Sequence, residues 1–240
     1  MKRPDLWRRG LAELVGTGLL ATVVVGSGIA AQRLSPGDAG LRLLENAGAT
    51  AAGLMALIVA LGAVSGAHFN PVVTLADRAF GGLTNREVAV YLPSQFAGAA
   101  AGAVLANALF SEPAFQLSAT ARSSGPLWGA EVVATAGLLL VVFGVARSGR
   151  PAAAPFAVGA YIGAAYFFTS STSFANPALT AGRTLTDTFA GIRPASAPAY
   201  IAFELVGLLV ALVVIRALYP HVSQAANAVV VPMEAEDTIP

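Results

Sequence analysis

The sequence predicts an all-α membrane protein with six transmembrane helices and two half-helices, arranged as two inverted repeats. Three observations predict this fold class: an apolar composition, long apolar segments, and an internal repeat that contains two Asn-Pro triplets. Hydrophobic residues make up 56% of the 240 residues and charged residues only 11%. Because a soluble domain carries roughly 25% charged residues, lipid is the expected solvent of this chain.

Six apolar segments are long enough to cross a hydrocarbon core, which takes about 20 residues. They lie near residues 11–31, 46–66, 87–110, 127–146, 152–170 and 198–219. The first segment follows a basic stretch, as a signal peptide would. It is longer than the apolar part of a signal peptide and contains Glu13, so we interpret it as a retained helix.

An even number of spans places both termini on one side of the membrane. Of the Lys and Arg residues, nine fall on that side and five on the other, which predicts cytoplasmic termini. A composition rich in Arg, Ala and Gly favours a bacterial source and thus the inner membrane. The predicted organisation is a cytoplasmic N-terminus (1–10), a first repeat (11–110), an extracellular connecting loop (111–126), a second repeat (127–219) and a disordered cytoplasmic tail (220–240).

The two halves share three signatures in the same order. The first helices read AELVGT at 12–17 and AEVVAT at 130–135, and the third helices share Tyr-x-x-x-Gln/Glu-x-x-Gly at 91–98 and 200–207. Between them lie the triplets Asn70-Pro71-Val72 and Asn176-Pro177-Ala178. Each half holds an odd number of spans, so the repeats enter the membrane from opposite sides and are inverted.

The segments that follow the triplets are too short to span the membrane but begin with strong helix-start chemistry. Asn is a favoured N-cap, and Pro suits the first helical position because its missing N–H would be unsatisfied there. We therefore predict half-helices over 70–80 and 176–189. The preceding segments, 65–69 and 169–175, are predicted to be irregular backbone, which membranes tolerate only against protein or along a water-filled cavity.

These residues carry a family resemblance. The segment SGAHFNPVVT at 65–74, the second triplet and the repeated Ala-Glu-x-Val-x-Thr resemble the aquaporin and aquaglyceroporin (MIP) family over about residues 10–218. The resemblance implies a passive channel for small neutral solutes, built as a homotetramer with one pore per subunit. FANPALT at 174–180 and LTDTFAGI at 185–192 also resemble a bacterial subgroup associated with arsenic resistance, which implies arsenite, methylated arsenicals and glycerol-like polyols as solutes and leaves water open.

The expected pore centre follows from the two half-helices. Their N-termini would meet and point positive dipole ends at the centre, which disfavours cations. Asn70 and Asn176 would offer amide donors to a passing solute, while their other polar atoms cap the helices. The alternative is that both asparagines are caps and nothing more.

In this family four positions form the outer constriction, and counting from the triplets without gaps places them at Thr50, Ala164, Ser173 and Leu179. The family usually has arginine where this chain has Leu179. We therefore expect a wide filter without an arginine or an aromatic residue, and poor discrimination by size. Arg183 follows Leu179 by one helical turn and is a candidate vestibule arginine. Alternatively, it snorkels to the interface or pairs with Asp187.

Three glutamates, Glu13, Glu131 and Glu204, fall inside apolar spans, where ionisable residues are functional candidates. In the family the matched pair, Glu13 and Glu131, accepts hydrogen bonds from the irregular loops, so we favour structural support over a proton relay. His68 is likewise expected to support the loop rather than to bind a metal or act as a pH gate, and the sequence places no second metal ligand beside it.

Other function classes find little support in the sequence. The chain has no cysteine, and we expect no metal, no cofactor and no nucleic-acid partner. An enzyme is disfavoured because no cluster at membrane depth joins a nucleophile to a base. A water-selective aquaporin and a proton-coupled secondary transporter, which would need a coupling site and a moving half, stay as alternatives.

Overall fold

A computed structural model describes residues 3–219, and within that range the chain has the predicted all-α architecture. The α-helices of this part of the chain are α1 (Leu6–Leu34), α2 (Ala39–Ser65), α3 (Pro71–Phe80), α4 (Asn85–Leu109), α5 (Gly125–Arg147), α6 (Ala154–Phe168), α7 (Pro177–Gly182) and α8 (Ala197–Leu218). Short 3-10 helices cover Pro151–Ala153 and Arg183–Leu185. The predicted tail, 220–240, lies outside the described residues.

The long helices correspond to the predicted spans. Helices α1, α2, α4, α5 and α8 are long and apolar enough to cross a membrane. Helix α6 has 15 residues and is about 22 Å long, and it continues from the 3-10 turn before it. Helix α1 begins at Leu6, inside the predicted terminal segment 1–10, because Arg9 is buried in an ion pair with Glu87 of α4 instead of lying in solvent.

Each half packs its first helix closely against its third. A Cβ atom on Gly98 of α4 would lie 2.3 Å from the carbonyl oxygen of Leu14 in α1. In the second half a Cβ on Gly207 of α8 would lie 2.8 Å from the carbonyl oxygen of Val132 in α5. Both glycines close the repeated signatures, so the repeat encodes the same close helix contact twice.

The irregular loops before the half-helices also match. Ala67 and Phe69 have φ values of 49° and 49°, and the equivalent Ser173 and Ala175 have 51° and 45°. Non-glycine residues adopt this left-handed backbone only when surrounding contacts hold them there. The two loops therefore form one repeated and strained structure at membrane depth, as irregular backbone before each triplet predicts.

The half-helices differ in length. Helix α3 occupies Pro71–Phe80, as predicted, and ends at Gly81 with a φ of 94°. The predicted half-helix over 176–189 is too long, since α7 ends at Gly182 and a 3-10 turn ends at Leu185. The chain turns back there because Thr186 is extended and its hydroxyl bonds Asn107 Oδ1 at 2.8 Å.

Candidate pore between the two half-helices

The two asparagines cap the half-helices as predicted. Asn70 Oδ1 accepts from the amide of Val72 at 3.0 Å. Asn176 Oδ1 accepts from the amides of Ala178 and Leu179 at 3.1 and 3.2 Å. Each proline follows at the first helical position. The side-chain oxygens are thus committed to the caps, and only the amide nitrogens can face a solute.

Those amide nitrogens also link the two halves. Asn70 Nδ2 donates to the carbonyl of Ala175 at 2.7 Å, and Asn176 Nδ2 donates to the carbonyl of Phe69 at 2.9 Å. Both acceptors belong to the strained loop of the opposite repeat. Because a side-chain amide has two N–H donors, each asparagine keeps one that is not used in this link.

A cavity of about 60 Å³ lies along the two asparagines. This is room for several water molecules. Most of its wall is apolar and comes from α1, α2, α5 and α6. Its polar lining residues are Thr50, His68, Asn70, Tyr166, Ser173, Asn176 and Arg183. No aspartate or glutamate among the described residues lines it.

Three of the four predicted constriction residues line this cavity, and the fourth does not. Thr50, Ser173 and Leu179 are buried in its wall. Ala164 is exposed on α6 and does not line this cavity, so its place in the constriction stays a prediction. Tyr166 occupies the cavity side of α6 instead, and its hydroxyl lies 3.1 Å from Thr50 Oγ1.

The register of α6 explains why Tyr166 lines the cavity and Ala164 does not. Val158, Ile162 and Tyr166 follow each other at four-residue spacing and line the cavity together. Gly159 packs against α2, where an added Cβ would meet Met55 at 2.4 Å. Ala160, Ala164 and Phe168 have the same spacing, so the spacing alone does not show which side of α6 lines the cavity. The structure thus adds an aromatic residue, Tyr166, to the wall of the cavity beside Thr50.

Arg183 brings a positive charge to the same cavity. Its side chain is buried, its Nε donates to the carbonyl of Ala190, and its guanidinium carbon lies 3.4 Å from the ring centroid of Phe174. It neither snorkels nor pairs with Asp187, whose Oδ1 accepts from the amide of Ala119 at 2.8 Å. An arginine thus lines the same cavity as Leu179, one helical turn after it.

A second arginine, which the sequence analysis missed, fixes the loop that holds Arg183. Arg122 Nε donates to the carbonyl of Gly191 at 3.0 Å and its Nη2 to that of Phe189 at 3.2 Å. Its guanidinium carbon is 5.3 Å from the Phe174 ring centroid. Burial lowers the pKa of Arg122 from its ordinary value. The sequence gives no signal for this role, because it does not show that this loop arginine is buried.

Glu13 supports the first loop, as the resemblance implies. Glu13 Oε1 accepts from the Ser65 hydroxyl at 2.6 Å and the His68 amide at 3.0 Å. Its Oε2 accepts from the Phe69 amide and from Gln95 Nε2, both at 2.7 Å. The carboxylate satisfies donors that would otherwise be buried without partners.

Glu131 and Glu204 support the second loop. Glu131 accepts from the amides of Phe174 at 3.0 Å and Ala175 at 2.7 Å. Glu204 Oε1 accepts from the Asn176 amide at 3.1 Å. None of the three glutamates lines the cavity, so in this structure they hold the pore wall rather than touch a solute.

His68 lies at the cavity and is hydrogen-bonded within the first half. Its Nδ1 is 3.1 Å from Thr74 Oγ1, and its Nε2 is 3.5 Å from Asp77 Oδ2. Its ring packs edge-on against Tyr91 with centroids 5.4 Å apart. These are the contacts expected of a residue that supports the loop.

A helical inverted repeat whose two half-helices meet at a buried cavity is the architecture of a membrane channel. A family model for the major intrinsic proteins matches residues 1–175. The chain is 47% identical over 216 residues to the aquaglyceroporin AqpS of Rhizobium meliloti (strain 1021), covering 90% of this chain and 92% of that relative. The chain belongs to the major intrinsic protein family.

Two further comparisons agree with this assignment. The chain is 32% identical over 232 residues to the probable aquaporin AqpM of Archaeoglobus fulgidus, covering 86% of this chain and 94% of that relative. The fold is similar to the X-ray structure of the aquaglyceroporin from Plasmodium falciparum, with a TM-score of 0.69, 19% identity, and coverage of 92% of this chain and all of that one. Since the family consists of passive channels, this multi-pass membrane protein is a channel for small solutes and not an enzyme.

Proposed function

We propose that this channel passes small uncharged molecules with several hydroxyl groups, such as glycerol-like polyols and neutral arsenous acid with its methylated forms. The observation that carries the proposal is the cavity wall, which is apolar except for separate hydroxyl, amide and guanidinium groups. Such a wall suits a neutral solute that hydrogen-bonds at a few points. The relative AqpS is named an aquaglyceroporin, which supports the same class of solute.

Charge excludes cations from the proposed path. The N-termini of α3 and α7 point partial positive charge at the cavity, and Arg183 adds a full one. No carboxylate of the described residues lines the cavity to offset them. A metal cation or hydronium ion would therefore lose its water shell without compensation.

A water-selective channel is the second candidate, and two residues favour it. Tyr166 and Arg183 place an aromatic hydroxyl and a guanidinium in the cavity wall, which makes this wall more polar than the sequence predicted. Leu179 and Ser173 favour a wider pore that passes larger solutes, because both side chains are shorter than an arginine side chain. The permeation of glycerol relative to water decides between the two.

The test is stopped-flow light scattering on proteoliposomes with water, glycerol and arsenous acid. We expect the native channel to pass all three, and Leu179→Arg to reduce glycerol and arsenous acid flux at least about tenfold, an added barrier of about 1.4 kcal/mol. Arg183→Gln should keep solute flux and raise proton leak, measured with a trapped pH dye. Arg193→Gln, at an exposed position, is the matched control.

The outcomes separate the candidates. Native vesicles that pass water but neither glycerol nor arsenous acid would support the water-selective channel. Solute accumulation driven by a proton gradient would support a coupled transporter. Unchanged proton leak in Arg183→Gln would remove Arg183 from the cation barrier.

The same proposal includes assembly and orientation. We propose a homotetramer with one pore per subunit in a bacterial inner membrane, with both termini in the cytoplasm. Large apolar side chains are exposed along the spans, including Val15, Val59 and Val133, and need lipid or other subunits to cover them. Native mass spectrometry and labelling of added terminal tags would test both points.

A further inference from the structure

Two arginines together bind three consecutive backbone carbonyl groups beside the cavity. Arg122 Nε donates to the carbonyl of Gly191 at 3.0 Å, and its Nη2 donates to that of Phe189 at 3.2 Å. Arg183 Nε donates to the carbonyl between them, that of Ala190. We call these three residues the carbonyl segment. Arg183 lines the cavity, whereas Arg122 is not among the described residues that do.

The carbonyl segment is the main polar support of the Arg183 side chain. Within residues 3–219, Ala190 is its one hydrogen-bond partner, and neither Arg183 nor Arg122 has a salt bridge. The other close neighbour is the ring of Phe174, whose centroid lies 3.4 Å from the guanidinium carbon of Arg183. Burying a charge is costly unless hydrogen bonds compensate it. The position of the Ala190 carbonyl therefore decides where the charge of Arg183 rests.

Arg122 is itself fixed by the backbone of the connecting loop, residues 111–126. The amide of Arg122 donates to Ser196 Oγ at 3.2 Å. Two residues earlier, the carbonyl of Thr120 accepts from the amide of Arg193 at 2.8 Å. The connecting loop is thus tied to the segment that leads into α8. The guanidinium of Arg122 therefore meets the carbonyl segment from a fixed base.

Both arginines also contact Phe174 of the strained second loop. The guanidinium carbon of Arg183 lies 3.4 Å from its ring centroid and that of Arg122 lies 5.3 Å from it, which are cation–π distances. The two guanidinium carbons are therefore at most about 9 Å apart, close to one screening length at physiological salt. Because like charges this close repel each other, the acceptors that hold them must be fixed.

We infer that Arg122 is a positioning residue for Arg183. Its planar guanidinium holds the carbonyls on both sides of Ala190, which keeps the Ala190 carbonyl directed at Arg183. Without Arg122 the carbonyl segment loses two hydrogen bonds, and Arg183 follows the Ala190 carbonyl away from the cavity wall. Arg122 thereby strengthens the barrier to cations without touching the solute. This consequence rests on the proposed role of Arg183 in that barrier.

The carbonyl segment has further supports, so the loss of Arg122 should move it rather than unfold it. The amide of Phe189 donates to Gln32 Oε1 of α1 at 3.0 Å. The amide of Ile192 donates to the backbone carbonyl of Arg183 at 3.2 Å. Neither bond involves Arg122. The effect of a change at Arg122 is therefore measurable in assembled channels.

The test measures proton leak into proteoliposomes with a trapped pH dye for Arg122→Gln, Arg183→Gln and the double variant. Removing the charge of Arg183 from the wall should raise the leak about fivefold, which corresponds to a barrier lower by about 1 kcal/mol. We expect Arg122→Gln to raise the leak by a similar factor, and the double variant to leak no more than Arg183→Gln alone. Arg193→Gln, at an exposed position, should match the native channel.

A purely structural role of Arg122 gives a different pattern. Native leak in Arg122→Gln, while Arg183→Gln leaks more, would overturn the inference. A double variant that leaks more than Arg183→Gln alone would show that Arg122 acts independently of Arg183 and would overturn it as well. Where Arg122→Gln does not assemble, Arg122→Lys replaces it. Lysine keeps the charge but lacks the planar fork, so it too should raise the leak, and native leak would count against the inference.

Thermal unfolding gives a second readout that does not depend on the cation barrier. Because both arginines hold the carbonyl segment, the Tm loss of the double variant should be smaller than the two single losses together by at least about 2 °C. This coupling with an unchanged leak in Arg183→Gln would remove Arg183 from the barrier and leave the positioning intact. Strict additivity of the Tm losses would overturn the inference whatever the leak.

Discussion

The two repeats share one backbone plan but differ in the chemistry that fixes their loops. In the first half Glu13 receives a hydrogen bond from the amide Gln95, and α3 continues to Phe80. In the second half an acid, Glu204, takes the place of that amide, and α7 ends at Gly182. The strained backbone and the asparagine caps are the same in both.

Some features of the pore are present in both repeats, and others are present in only one. The caps and the links between asparagines and opposite loops are symmetric because they form the centre of the cavity. The arginine is asymmetric, since the residue seven positions after the asparagine is Arg183 in the second half and Asp77, beside His68, in the first. Positive charge is thus concentrated at the end of the cavity that Arg183 lines.

The largest expected effect concerns the buried carboxylates. Glu13→Ala leaves four donors without an acceptor, so we expect it to destabilise the protein by about 4 kcal/mol or more. Glu204→Ala removes the acceptor of two donors and should cost about 2 kcal/mol. Thermal unfolding in detergent compares them, with Glu112→Ala as control. A smaller loss for Glu13→Ala than for Glu204→Ala would break the comparison.

The helix contacts come next. Gly98→Ala should cost about 2–3 kcal/mol and Gly207→Ala about 1–2 kcal/mol, because the added Cβ meets a carbonyl oxygen at 2.3 Å in the first half and 2.8 Å in the second. Gly129→Ala adds a Cβ with no neighbour within 4 Å and should be neutral or stabilising. The same unfolding assay ranks the three, and the reverse order of the first two would contradict the packing described.

Substitution of the matched tyrosines, Tyr91 and Tyr200, should change the stability by smaller amounts. Tyr91 donates to the carbonyl of Ser65 at 2.7 Å and accepts from Arg9 Nε at 2.8 Å, whereas among residues 3–219 the hydroxyl of Tyr200 makes no hydrogen bond of good geometry and has only the guanidinium of Arg122 nearby. Tyr91→Phe should therefore cost about 1–2 kcal/mol and Tyr200→Phe less than about 0.5 kcal/mol. Equal losses would mean that Tyr200 has a partner of similar strength.

The last prediction concerns the small stability contribution of a hydrogen bond that joins one residue of each half. Thr50→Val and Tyr166→Phe each remove the 3.1 Å hydrogen bond between the two hydroxyls. We expect losses below about 1 kcal/mol and a coupling of about 0.5–1 kcal/mol in the double mutant. Strict additivity of the two changes would show that the hydroxyls do not interact.

The sequence predicts the fold well because its signals are local or repeated. The length of the apolar segments predicts the membrane spans, and each Asn-Pro pair predicts the start of a half-helix, α3 or α7. The repeated signature predicts that Gly98 and Gly207 make equivalent helix contacts. The end of α7 is not predictable in this way, since Thr186 is held by Asn107, a residue 79 positions away. Nothing in the local sequence around residue 186 signals that contact.

The sequence predicts only part of the site, because only positions close to the triplets can be placed by counting. Residues counted over a short distance from the second triplet, such as Ser173 and Leu179, fall where expected at the cavity. Ala164 does not, because the count from the triplet passes through the irregular segment 169–175, whose length sets the register of α6. Arg183 reaches the cavity only because the ring of Phe174 and the carbonyl of Ala190 hold it there.

Cysteine accessibility tests the central claim most directly, because the native chain has no cysteine and any introduced thiol is unique. Tyr166→Cys and Ala164→Cys would each be treated with a membrane-permeant methanethiosulfonate reagent before solute flux is measured in proteoliposomes. The pore described here predicts that the reagent blocks flux through Tyr166→Cys and leaves Ala164→Cys unchanged. Block of Ala164→Cys with no effect on Tyr166→Cys would show that α6 turns its other side to the solute.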